Sequence, residues 1–291
     1  MVRDASRDEL LPLGRAPRPT TGAELAVRVH QAVRDEVGDR AAHLDRLRVE
    51  AALDGPDVAS LAVDASGVVA AVRSGVPAAS REPWRPEQPR SSEPATLRSL
   101  RVDAHPVVVE DVPVDVTAEA EGLRFAWVET SDARLGIAFV EPDEAHPVSG
   151  HVRVAVPQGA LVATARRLLT EELATRGVAL SSLDVEITSA GPRSVAVRAF
   201  GRVRKGILSA SVHAVLAADV DDRSVLRVRE LDLSSRNPAV AALLVAARGH
   251  VDALRGRTFD LTADLPPGLR LADLRLDVDP RGTVAASARF A

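Results

Sequence analysis

Acid–base and metal chemistry needs carboxylates, imidazoles or thiolates that converge, and few residues of this chain offer that. The densest group is Glu141-Pro-Asp143-Glu144-Ala-His146, with His151 five residues further on. Carboxylates and imidazoles could gather there as a metal or acid–base site, but the spacing follows no helix face and the segment lies among prolines between strands. The plainer reading is a solvated loop. Asp219-Val-Asp-Asp222 reads as a hairpin turn, because a calcium loop needs a longer ordered series of oxygen donors. His213 falls on a strand face and His250 on a helix, and each is expected to be structural or solvated. The chain has no cysteine, which excludes disulfides, thiolate zinc sites and a cysteine nucleophile. Glycine-rich nucleotide loops, a Gly-x-Ser-x-Gly elbow and a His-Glu-x-x-His helix are absent, and the lone lysine, Lys205, sits in a strand turn. No enzyme activity, metal or cofactor is expected.

The elements that would position any site are aliphatic. Of 291 residues 46 % are hydrophobic but only 2 % aromatic, with no tyrosine, so the core rests on Ala, Val, Leu and Ile. The net charge of -4 and the missing rings exclude the basic field and stacking platforms of a nucleic-acid binder. Residues 1–20, with scattered charges and Pro12, Pro17 and Pro19, read as a disordered leader. After Thr21 as N-cap, Leu25, Val29, Ala32, Val33 and Val37 recur at helical spacing, and short strands complete a first unit over 21–73. Residues 74–96 hold Pro77, Pro83, Pro86, Pro89 and Pro94 around Trp84 and read as a flexible linker or loop.

The remainder, 97–291, reads as the main α+β unit. Alternating strands lead to an amphipathic helix at about 157–176, stopped by Gly177. Further strands follow, then a third helix near 237–256 with Asn237 as N-cap and Pro238 at N1, and closing strands. The start of the chain has no export-type apolar region, and the longest apolar run, 239–247, is about half of the roughly 20 residues a membrane span needs. A cytoplasmic protein, with peripheral membrane contact at most, is the expectation.

One repeat stands out. Leu44-Asp-Arg-Leu47-Arg-Val49-Glu50 recurs as Leu180-Ser-Ser-Leu183-Asp-Val185-Glu186, and the same 136-residue offset lays Leu25 on Leu161, Val33 on Leu169 and Val37 on Leu173. Two patterns with one offset predict two related units, each with long amphipathic helices packed on curved antiparallel sheets.

From Leu97 to Phe290 the chain carries Leu97-Arg-Ser-Leu-Arg-Val-Asp103, Gly122-Leu-Arg-Phe125, Arg134-Leu-Gly-Ile137, Val228-Arg-Glu-Leu-Asp-Leu233 and Leu265-Pro-Pro-Gly-Leu-Arg-Leu271. In this order they resemble the actinobacterial LmeA-like phospholipid-binding proteins. The resemblance implies a tubular lipid-binding type of fold, a phospholipid or similar lipid as ligand, and a role in envelope lipid or lipoglycan metabolism. No catalytic residue carries over. Those relatives are exported, whereas this sequence starts without an export signal, and it adds the proline-rich stretch at 74–96.

The functional expectation is a non-enzymatic lipid binder in which Leu161, Leu168, Leu169, Leu243, Leu244 and Val251 line an aliphatic groove or tunnel, with nearby arginines on the headgroup. The same residues would serve an ordinary packed core. Two alternatives stand beside it: a ligand-free scaffold that docks a partner through the proline-rich segment and Trp84, and a hydrolase using Asp143, Glu144 and His146.

Overall fold

Strand accounts for 63 % and helix for 17 % of the residues described in the computed structural model, which are 10–70, 89–143, 145–175, 177–206, 208–237, 256, 258–262 and 270–290. In chain order the elements are β1 (Leu11–Arg15), α1 (Gly22–Val37), β2 (Ala41–Ala42), β3 (Arg48–Asp54), β4 (Asp57–Asp64), β5 (Val69–Ala70), β6 (Pro89–Val109), β7 (Val112–Thr130), β8 (Arg134–Phe139) and β9 (Ser149–Pro157). They continue with α2 (Gln158–Thr175), β10 (Ala179–Gly191), β11 (Ser194–Lys205), β12 (Leu208–Val220), β13 (Val225–Ser234), β14 (Thr258–Asp260), β15 (Leu271–Val278) and β16 (Thr283–Phe290). No helix among the described residues is long and apolar enough to cross a membrane.

This corrects the expected α+β architecture of long amphipathic helices packed on curved antiparallel sheets. The described chain is mostly β, with two sheets and two α-helices, and one of those helices, α2, buries no residue. Segments that read as several short strands are continuous: β6 runs for 21 residues and β7 for 19. Prolines did not interrupt β6 because of where they fall. Pro94 pairs with Ala126 in a stretch that precedes the pairing of β4 at Leu97, so its missing N–H faces an open edge. Pro106 sits in a register shift between Ala104 and Val107.

The chain divides into two compact units: Met1–Val154 with Leu265–Ala272 and Ala288–Ala291, and Ala155–Asp264 with Asp273–Ser287. In the first, the strand order is β9-β7-β6-β4-β3, with β8 and β1 added on β7 and β5 and β2 on β6. Strands β4 and β5 run parallel to β6, so the chain before residue 71 and after residue 88 builds one sheet. The boundary expected at 74–96 therefore moves to 154/155, and residues 89–96 open β6. Likewise Leu11–Arg15, in the expected leader, form β1, whose Leu13 is buried. Residues 1–9 and 71–88, including Trp84, lie outside the described residues.

The core of this unit gathers Leu13, Leu25, Val58, Leu97, Phe125, Trp127 and Leu135. Phe125 and Trp127 meet edge to face with centroids 5.1 Å apart, and the Trp127 indole N–H donates to the Pro56 carbonyl at 2.8 Å. The first turn of α1 is closed reciprocally: Thr21 Oγ1 accepts from the Glu24 amide at 3.2 Å, and the Glu24 carboxylate accepts from the Thr20 amide at 2.8 Å. Leu25, Val29 and Ala32 then face the core, as their spacing predicts.

Asp57 ties β4 to β6. Its carboxylate accepts from the Thr96 amide at 2.9 Å and from Arg98 at 3.0 Å, and these bonds, the amide first, hold its pKa below the ordinary 3.8. A carboxylate with a depressed folded pKa contributes its stability above the unfolded value and loses it as pH falls through the folded one. Acid unfolding of this unit below about pH 4 is therefore expected to be shallower in Asp57→Asn, with the variant less stable at neutral pH. Urea titrations at several pH values measure both effects.

The second unit is an antiparallel sheet in the order β10-β11-β12-β13-β14 with α2 beside β10. The Gln158 side-chain amide donates to the Val185 carbonyl at 3.2 Å and Arg166 to the Leu183 carbonyl at 2.8 Å, so side chains of α2 satisfy the outer edge of β10. At the 136-residue offset α1 falls on α2, β3 on β10 and β4 on β11, and the equivalent Leu47 and Leu183 are both 6 % exposed.

Candidate functional site

Period-two alternation makes the sheet of the second unit two-faced. Pairing across four strands sets Ile187, Val197, Leu216 and Leu231 in one transverse row and Val185, Ala199, Ala214 and Leu233 in the next. Every one of these eight is half-buried rather than buried. The residues between them fall on the other face, where Glu186, Arg198, Val215 and Asp232 make one row. Phe200 is on that polar face as well, tilted against His213 at 4.9 Å between centroids. The aliphatic rows hold no ring and no charge. Leu183, Ala218 and Val220 are the apolar residues of these four strands that are buried.

Along α2 runs an open groove of about 610 Å³, lined by Gly159, Val162, Ala163, Arg166, Arg167, Thr170 and Glu171. Of the residues expected to hold a lipid, the three that are described, Leu161, Leu168 and Leu169, are not among them. Leu161 is half-buried on α2, while Leu168 and Leu169 are 53 % and 43 % exposed on the same helix. The third expected helix, with Leu243, Leu244 and Val251, falls within 238–255, outside the described residues. The alternation behind these strand rows, Leu183-x-Val185-x-Ile187 and Val195-x-Val197-x-Ala199, is legible in the chain, but the helical stripes carry more leucine and mask it.

The acid–base candidates lie on solvated surfaces. Asp143 and His146 do meet: the carboxylate accepts from the His146 amide at 2.8 Å, lies 2.9 Å from Nδ1, and is 3.1 Å from Arg124. The contact with His146 is the largest cause holding the Asp143 pKa down. Both side chains are more than half exposed, which suits a loop staple rather than a catalytic pair. Glu144 lies outside the described residues. His151 approaches Glu119 at 3.9 Å. His105, also half exposed, sits 3.6 Å from Asp103 and from Asp115 and 3.4 Å from Thr117 Oγ1. The described residues contain no group of three or more His, Asp or Glu placed to hold a metal ion.

The arrangement with a definite chemical character is therefore the ring-free aliphatic face, with Arg166 of α2 donating to the Leu183 carbonyl at its β10 edge. Comparison of the chain with protein-family models, curated proteins and solved structures finds no match.

Proposed function

We propose that the protein is a non-enzymatic lipid binder whose second unit takes acyl chains on the aliphatic face of β10–β13. The observation that carries this reading is the pair of transverse rows, eight aliphatic residues across four strands, all left half-buried. A flexible methylene tail is matched by such a smooth wall, and each buried CH₂ contributes about 0.8 kcal/mol. Eight to ten methylenes would supply roughly 6–8 kcal/mol, an upper bound on affinity of about 1–40 μM that the cost of ordering the chain lowers.

The purified protein is expected to release lipid on organic extraction and to take up a fluorescent fatty acid, seen as added mass in native mass spectrometry. A clean mass of the bare chain together with no uptake of fatty acid or phospholipid would overturn the proposal.

A further inference from the structure

The 136-residue offset relates the strands as well as the helices. It carries the paired Ala51 and Leu61 of β3 and β4 onto Ile187 and Val197, which pair in the same register in β10 and β11, and it carries Val49 and Val63 onto Val185 and Ala199 likewise. The aliphatic rows are therefore the counterpart of the surface that lies against α1. In the first unit Ala51 and Leu61 pack into one core with Leu25, Val29 and Ala32 of α1. On α2 the counterparts of that stripe are Leu161, Ala165 and Leu168, of which none is buried and Leu168 is exposed. The second unit thus holds both halves of the packing, a helix stripe and a sheet face, and neither is buried.

The first residue of the helix accounts for the difference. Gly22 admits α1 to the Ala51 main chain, where a Cβ would stand 1.9 Å from the carbonyl oxygen. Its counterpart is Gln158, whose side chain is too large for that approach and donates instead to the Val185 carbonyl at 3.2 Å. Together with the Arg166–Leu183 bond this ties α2 to the outer edge of β10. Both ends of the helix are anchored: the Gln158 main-chain amide donates to the Gly282 carbonyl at 2.6 Å, and Gly177, at φ +67°, turns the chain towards β10.

We infer that α2 is a hinged cover, which rolls from the edge of β10 onto the aliphatic rows when an acyl chain lies on them and sets Leu161, Ala165 and Leu168 against that chain. This rests on the acyl-chain reading and adds to it how the bound chain is shielded. On the open sheet a chain keeps one side in water, and closure buries both sides against the loss of two side-chain ties.

The chain has no cysteine, so one introduced thiol reports one position. On saturation with oleate the maleimide labelling rate of Leu168→Cys is expected to fall at least about 5-fold, while that of Ala163→Cys, on the opposite side of the helix, changes less than about 2-fold. Arg166→Met removes one tie and keeps an apolar stem. It should raise oleate affinity several-fold, because the covering position then competes with a weaker edge position. An affinity that stays the same or falls would overturn the cover, since the edge position would then be the binding position. Oleate bound with Leu168→Cys labelled at an unchanged rate would also overturn it and leave acyl-chain binding intact. No uptake of oleate by the unsubstituted protein would remove the acyl-chain reading itself, and the cover with it.

Discussion

Gly22→Ala is expected to destabilise the first unit by at least about 3 kcal/mol, an unusually large effect for one added methyl group. A Cβ at residue 22 would lie 1.9 Å from the Ala51 carbonyl oxygen and 2.7 Å from its carbon. Both are main-chain atoms, and Ala51 is paired with Leu61 inside the β3–β4 ladder, so β3 cannot yield. The helix cannot yield cheaply either, because Thr21 and Glu24 cap its first turn and Leu25, 2 % exposed, anchors it one turn later. Relief of the clash means lifting α1 from β3 and uncovering Leu25, whose burial is worth about 2 kcal/mol, with partial loss of the cap at about 1 kcal/mol. Gly159→Ala is the contrasting change. It is helical, it meets nothing within 4 Å, and it should stabilise by about 0.5–1 kcal/mol. Urea denaturation of the two variants measures both, and a neutral Gly22→Ala would contradict the close approach of α1 to β3.

A single carboxylate placed among the aliphatic rows should abolish lipid uptake, while the same change one residue away should not. Leu216 sits between Val197 and Leu231, and Val215 between Arg198 and Asp232 on the opposite face. Under a bound acyl chain the carboxylate of Leu216→Asp would be stripped of water without a partner, a cost of about 2–3 kcal/mol or roughly 30- to 150-fold in affinity. In Val215→Asp the new carboxylate sits between Arg198 and Asp232 on the charged face, away from the rows, and uptake should stay within about 2-fold of the unchanged protein. Fluorescent fatty-acid titration reads the affinity, and circular dichroism reads the fold. If Leu216→Asp unfolds the second unit, the rows are packed core and the acyl-chain reading fails. If both variants bind normally, the face is not the site.

The local features that were legible were those whose cause is itself local. Thr21 caps α1 because a side-chain oxygen three residues before the Glu24 amide needs nothing else to reach it. Gly177 follows α2 with φ +67°, a conformation that glycine adopts without a Cβ penalty. The strands from β10 to β13 show as alternation because one face is apolar and the other charged. Residues 89–96 differ from the expected linker for the opposite reason: whether Pro94 breaks a strand depends on which neighbour lies beside it, and that neighbour comes from elsewhere in the chain.

The composition alone determined that this is an aliphatic, cysteine-free chain without thiol chemistry, and local spacing determined where α1, α2 and the later strands run. The tertiary structure decided what each apolar stripe is for. Leu25 of α1 and Leu161 of α2 are equivalent at the 136-residue offset, yet Leu25 is 2 % exposed among Phe125, Trp127 and Leu135, while Leu161 is half-buried and the neighbouring Leu168 is 53 % exposed. Helical spacing fixes the direction of a stripe, but burial needs a surface brought to it by distant strands. For α1 that surface is built by β1 and β3 beside it and by core residues of β7 and β8. α2 is tied to the edge of β10, and so the apolar face that carries the functional proposal belongs to the strands rather than to α2.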